Sequence, residues 1–274
     1  MRVGFLGPQG TFSEQAAQLY TRDVPGVELQ MYHTIPQVVD AVQAGELDEG
    51  VIPFENSIEG TVTSAIDTLI FHAELYIKAE VVIAVEQCLL GRGPRPERVE
   101  RILSHPQALA QCREFLHRRY PDAEQIPVSS TAEAARLVAA GEPYALAIAP
   151  RRAADVYGLT MWEQGIEDDH SNQTRFVVVT RTPSPVTAQK TSLAFSTDNR
   201  PGELYRVLDI FCIWNVNMTK IESRPSKIKL GTYVFFVDLE TENAQDMEDA
   251  LKMVARKTTF FKYLGSYPVY SAKG

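Results

Sequence analysis

With 274 residues, 45% of them hydrophobic, the chain is long enough for more than one buried core, and its composition excludes a disordered one. A formal net charge of −8 excludes the basic surface that nucleic-acid binding uses to displace counterions from phosphates, so a small-molecule partner is expected. Cys88, Cys112 and Cys212 lack CxxC spacing, the five histidines lack an HxxxH pair, and no apolar run reaches the roughly 18 residues of a membrane span; no disulfide framework, metal, cofactor or membrane contact is expected.

The chain opens directly on a strand over residues 2–6 instead of a signal peptide, which predicts a cytoplasmic protein. A loop follows, Gly7-Pro8-Gln9-Gly10-Thr11-Phe12-Ser13. Its glycines do not have GxGxxG spacing and Pro8 removes an N–H that a pyrophosphate would use, so a nucleotide is rejected. Thr11, Ser13 and backbone donors remain available to a carboxylate, and a plain turn explains the same residues.

A helix over 13–20 comes next, and then an apolar strand over 50–53 that runs into Glu55, Asn56, Ser57 and Thr61. Pro53 is expected to end that strand's ladder, and the polar cluster reads either as a ligand site at a strand end or as a turn before the helix over 61–71. Strands over 101–103 and 145–148 alternate with helices over 106–119 and 150–157, an α/β pattern.

Capping-box spacing marks three helix starts, Thr11/Glu14, Ser104/Gln107 and Ser130/Glu133. If those N-termini converge, their free N–H groups and macrodipoles favour an anion. Gln107 and Gln111 share one helix face, and His105 reads as a solvated first-turn residue. Asn172-Gln173-Thr174-Arg175-Phe176 then leads into the strand Val177-Val178-Val179. There Arg175 is suited to gripping a carboxylate in a two-pronged bond and Thr174 offers a stiff hydroxyl.

Residues 181–192, with two prolines and small polar side chains, read as a linker. Beyond it the order is strand 190–197, helix 202–215, strands 217–224 and 230–240, helix 244–256 and strand 260–270. This is the βαββαβ order of ferredoxin-like units, which host many functions.

Taken in this order, Gly7–Ser13, Pro53-Phe54-Glu55-Asn56-Ser57, Ser104-His105-Pro106-Gln107 with Gln111, and Thr174-Arg175-Phe176 resemble the prephenate dehydratase family. Pro201-Gly202-Glu203-Leu204-Tyr205 and Glu222-Ser223-Arg224-Pro225 are similar to the two motifs of the ACT regulatory domain that follows in that family, with Glu203 and Tyr205 replacing the usual Ala and Val. No chorismate mutase helix precedes Met1, so the resemblance is to the stand-alone form.

The resemblance implies a two-lobed α/β catalytic domain over 1–182, similar to periplasmic binding proteins, and an ACT domain over 190–274. It implies conversion of prephenate to phenylpyruvate with loss of water and carbon dioxide, in phenylalanine biosynthesis and without a cofactor. Thr174 would donate to the leaving oxygen; Asn56, Ser57 and Gln111 would orient the substrate, and Glu55 would position neighbours or relay a proton. Thr11, Phe12, Ser104, Arg175 and Phe176 would bind the substrate, Arg175 at the pyruvyl carboxylate. L-Phenylalanine would bind as effector at Asn199, Pro201, Gly202, Leu204, Glu222, Ser223, Arg224 and Pro225, across a subunit boundary of a homodimer or homotetramer. Removing the chain from Ser184 onward is expected to leave an active catalytic part. Two rivals stay open: an arogenate dehydratase, and a non-catalytic two-lobed anion sensor.

Overall fold

A computed structural model describes residues 1–95, 97–187 and 190–271. The first sheet takes β1 (Arg2–Leu6), β2 (Glu28–Tyr32), β3 (Glu49–Asn56), the short β4 (Gly60–Thr61) and β5 (Tyr76–Ala84), with α1 (Phe12–Thr21), α2 (Ile35–Ala44) and α3 (Thr63–Phe71) between them. The chain then crosses to a second sheet of β6 (Cys88–Gly91), β7 (Arg101–Ser104), β8 (Glu124–Pro127), β9 (Ala145–Ala149) and β10 (Thr160–Gln164), with α4 (Pro106–Gln111), α5 (Arg113–Arg119), α6 (Thr131–Ala139) and α7 (Arg151–Tyr157). It returns to lay β11 (Gln173–Thr180) between β3 and β5, antiparallel to both. Two lobes are thus joined by two crossings. The crossings bond to each other: Val85 N–H donates to Asn172 O at 2.8 Å, and Ile166 N–H to Gln87 O at 3.1 Å.

Local sequence explains most boundaries. Thr11 and Ser130 accept from the N–H groups of Glu14 and Glu133, as their spacing predicts. Ser104 does not cap α4: its hydroxyl donates to Ile148 O at 2.6 Å, and His105 caps the helix instead. The helix expected over 106–119 breaks at Cys112, because Asp168 from the second crossing accepts from Glu114 and Phe115 N–H and so caps a new helix start. β3 also runs past Pro53 to Asn56. The register shift opposite Arg175 and Phe176 leaves Phe54 as the extra residue of a bulge, where a proline is tolerated.

After the linker come β12 (Lys190–Ser196), α8 (Glu203–Ile213), β13 (Asn217–Pro225), β14 (Tyr233–Glu240), α9 (Ala244–Lys257) and β15 (Phe260–Tyr267), forming an antiparallel sheet in the order β13-β14-β12-β15. Its helices bury Val207, Ile210, Phe211, Met247 and Val254 on one face. The other face packs on the first lobe: Val234, Phe236, Leu264 and Tyr267 share one apolar cluster with Phe54, Ile66, Leu69 and Ile77. The strand expected over 260–270 ends at Tyr267, and β16 (Val269–Ser271) turns back to pair in parallel with β5 in the first sheet. Ala188 and Gln189 of the expected linker and residues 272–274 of the expected last domain lie outside the described residues. Among the described residues no helix is long and apolar enough to cross a membrane.

Candidate active site

A cavity of about 420 Å³ lies where the lobes meet, walled by the first loop, β3, β11, the first crossing and the starts of α4 and α6. Thr11, Phe12, Ser13 and His33 line it from the first lobe, with Pro53 and Asn56 from β3 and Thr174 and Phe176 from β11. Gln87 comes from the first crossing. His105, Gln107 and Gln111, and Ser129, Ser130 and Thr131, come from the second lobe. Among the described lining residues none is Lys, Arg, Asp or Glu. What the cavity offers an anion is the N-termini of α1, α4 and α6, which converge here, together with hydroxyls and amides.

Thr174 and Asn56 form the polar centre of the first-lobe wall. Asn56 Nδ2 lies 2.9 Å from both Thr174 Oγ1 and Asn172 Oδ1, while its Oδ1 accepts from Ile58 and Glu59 N–H at 3.0 Å each. The amide is therefore locked by the turn beyond β3, and Thr174 Oγ1 acts as an acceptor toward it. Its own proton is left for a ligand. Ser57 stands behind this pair and off the cavity wall, its hydroxyl donating to Asn172 Oδ1 at 3.2 Å and accepting from Gln173 N–H at 2.9 Å.

Thr11 lines the cavity, but its hydroxyl donates to Pro8 O at 3.0 Å and caps α1, so it shapes the loop. Gln87 Nε2 of the first crossing donates to Gln111 Oε1 of the second lobe at 3.5 Å. His105 Nδ1 accepts from Gln107 N–H, which puts the proton of a neutral ring on Nε2. The lobes also touch at the first loop, where Arg152 Nη2 of α7 reaches Glu14 Oε1 at 3.0 Å and Glu14 Oε2 holds Gly10 N–H. Beside the crossings, the hydrogen bond to buried Glu167 raises the His170 pKa above its ordinary 6.5.

Besides Ser57, three residues expected in the cavity lie elsewhere. Ser104 is fully buried on Ile148 O. Arg175 and Glu55 leave their strands on the face opposite Thr174 and Asn56, because successive strand side chains alternate. Arg175 enters the junction with the C-terminal sheet, bonded by Asp238 Oδ2, with Tyr267 Oη at 3.0 Å and Glu80 Oε2 at 2.6 Å. Burial pulls its pKa down, but Tyr267, Asp238 and Glu80 outweigh that and hold it above the ordinary arginine value. It is not free to grip a substrate. Glu55 is held by Lys220 Nζ at 2.5 Å and lies 3.5 Å from Arg175.

The proposed effector residues split in the same way. Gly202 caps α8 in the left-handed region at φ 85° with open space around it, beside exposed Pro201; Leu204 packs into the C-terminal core, and Asn199 Nδ2 donates to Gly231 O. On β13, Ser223 and Pro225 are exposed, whereas Glu222 and Arg224 face the first lobe. Thr61 Oγ1 donates to Glu222 at 3.2 Å and Arg224 Nε pairs with Asp67 at 2.8 Å. Strand alternation thus divides the four-residue motif between two faces, and Glu222 and Arg224 are already committed. Nothing in the sequence singled out His33 or Gln87, and at Ser129 and Thr131 only the capping box of the Ser130 between them pointed to that wall.

The family model for prephenate dehydratase matches residues 3–184. Over 270 residues the chain is 40% identical to the bifunctional chorismate mutase/prephenate dehydratase of Aquifex aeolicus, covering 98% of this chain and 74% of that protein. It is 36% identical to the prephenate dehydratase of Methanocaldococcus jannaschii over 96% of each. A solved structure of the prephenate dehydratase of Arthrobacter aurescens in complex with L-Phe matches with a TM-score of 0.88 at 34% identity, covering 98% of this chain and 90% of that one.

Proposed function

The chain belongs to the prephenate dehydratase family, and from that premise we propose that the cavity between its lobes converts prephenate to phenylpyruvate. The observation that carries the assignment of roles is the Thr174 hydroxyl, which lines the cavity while its oxygen accepts from a locked Asn56 amide. In the reaction the bond between the ring and its carboxylate breaks. Its electrons enter the ring, hydroxide departs from the opposite carbon, and the ring becomes aromatic. The protein's work is to orient the dianion and to supply a proton or strong hydrogen bond to the departing oxygen.

Thr174 has that proton to offer. Helix N-termini and amides hold the anion, and a wall without Lys or Arg avoids fixing the carboxylate that must leave as carbon dioxide. Phe12 and Phe176 supply apolar walls; a carboxylate deprived of water decarboxylates more readily. Gln111 orients the substrate, Asn56 holds the Thr174 hydroxyl, Ser57 holds Asn172 and Gln173 in place behind them, and Arg175 and Glu55 act structurally at the junction.

The test is an absorbance assay for phenylpyruvate with purified protein. Thr174→Ala is expected to lower kcat by at least about 10²-fold with little change in KM, and Thr174→Ser to retain more activity. Near-normal turnover of Thr174→Ala would remove it as the donor. Side-by-side kinetics on arogenate separate the two substrates.

The βαββαβ unit is read as an ACT regulatory domain and residues 1–182 as the catalytic domain. L-Phenylalanine binding at the start of α8 is supported by the unoccluded Gly202 cap and by the L-Phe complex of the Arthrobacter relative. Calorimetry should show binding to the intact protein and its loss in Gly202→Val, with activity in the absence of phenylalanine unchanged. Self-association through the C-terminal sheet is supported by its free edge strand β13 and by exposed Tyr205, Ile213, Ile228 and Leu230. Light scattering reads the assembly as dimer or tetramer.

A further inference from the structure

Gln87 sits in the first crossing between the lobes, 2% exposed, and lines the cavity. Its backbone is held at both ends: its N–H donates to Glu167 Oε2 at 2.7 Å and its C=O accepts from Ile166 N–H at 3.1 Å. The side chain is thereby brought to Gln111, whose own C=O accepts from Asp168 N–H at 2.7 Å, so the second crossing anchors both glutamines.

Once Gln87 Nε2 has donated to Gln111 Oε1, one buried atom on each amide lacks a partner: Gln87 Oε1 and Gln111 Nε2. Buried polar atoms are ordinarily satisfied, and two complementary unsatisfied atoms on a cavity wall mark where a ligand's groups belong. A primary amide presents either its oxygen or its nitrogen. A donor at the position of Gln87 Nε2 holds the Gln111 oxygen back and leaves the Gln111 NH₂ as the free group. The reversed pair would leave the Gln111 oxygen as the free group, and an anionic substrate repels it.

We infer that Gln87 is a positioning residue that fixes the amide of Gln111 with its N–H groups available to the substrate. This rests on the cavity being the prephenate site. In Gln87→Glu the acceptor-only side chain draws Gln111 Nε2 toward itself and frees the oxygen instead. KM for prephenate is expected to rise about 10- to 100-fold, the worth of one hydrogen bond to a charged group, with kcat changed far less. Gln87→His, which keeps a ring N–H donor, should restore KM to within about 3-fold of the parent protein. Gln87→Leu, which adds no buried charge, should raise KM by a smaller factor and serves if Gln87→Glu does not fold.

The decisive arm is Gln111→Ala. With the amide gone, Gln87→Glu or Gln87→Leu should add less than about 2-fold to KM, since a residue acting only through another has nothing left to act through. Equal effects of the Gln87 substitutions with and without Gln111, or an unchanged KM in both, would overturn the inference. If Gln111→Ala itself leaves KM unchanged, the cavity reading fails first and this inference with it.

Discussion

In the proposed reaction Thr174 is a donor because of its neighbour, and that relation can be reversed with one atom. Asn56 Oδ1 builds the turn over Ile58 and Glu59 while Nδ2 supplies Thr174 Oγ1. In Asn56→Asp the turn keeps its acceptor, but the other position becomes a second acceptor, toward which Thr174 must donate. The hydroxyl proton is then consumed inside the protein. We expect kcat at saturating prephenate to fall by about 10²-fold, comparable to Thr174→Ala, and the double variant to be little worse than either, because both remove one proton donor. A kcat for Asn56→Asp within about 3-fold of the parent protein would show that the hydrogen bond does not direct the proton.

At the same scale, the sequence was most misleading where residues are adjacent. Thr174-Arg175 and Glu55-Asn56 read as clusters, yet a strand sends neighbours to opposite faces, so one member of each pair reaches the cavity and the other the C-terminal sheet. The alternation was available from the strand assignment alone. Gln87 and His33 were not legible, since only the meeting of crossings and lobes gives an isolated polar residue a neighbour.

At the scale of elements, the strands and helices named from periodicity and two of three capping boxes have counterparts in the structure, whereas β2, α2, β5, β6, β8 and β10 were not read from the sequence. Departures among the named elements have tertiary causes: Asp168 splits one helix by capping its second half, and the bulge at Phe54 carries β3 past a proline. A third tertiary feature is Gly265 in β15. Its φ is 138°, and a β-carbon there would lie 2.2 Å from Ile77 O in β5, so the two strands approach backbone to backbone. Gly265→Ala must accept a strained conformation and also part the strands. Chemical denaturation should show a loss of at least about 1–3 kcal/mol, the usual cost of a backbone held in such a region, with the larger share coming from separation of β15 and β5. An unchanged denaturation midpoint would mean that the junction is looser than this contact implies.

For the whole molecule, the C-terminal sheet is fused to the first lobe more deeply than a linker between independent domains suggests. Arg175, Lys190 and Lys220 meet Glu55, Glu80 and Asp238 in one cluster, with three charges of each sign contributed from both sides of the linker. Phe54 packs on Phe236 with ring centroids 5.3 Å apart, and β16 covers the edge of β5. Cutting the chain before Ser184 removes Lys190, Lys220 and Asp238 and leaves Arg175 with two carboxylates. It also bares Phe54, Ile66, Leu69 and Ile77 and frees a long strand edge. Removing partners from a buried ionic cluster typically costs about 3–5 kcal/mol, a large part of the stability of an ordinary domain. The active catalytic fragment expected from the sequence is therefore not expected from the structure. Residues 1–183 alone should be poorly soluble or bind a hydrophobic dye, with a cooperative melt well below that of the intact chain and little phenylpyruvate formation. A soluble fragment with the parent's kcat and an unshifted melting temperature would show that the junction serves regulation alone and contributes nothing to holding the cavity together.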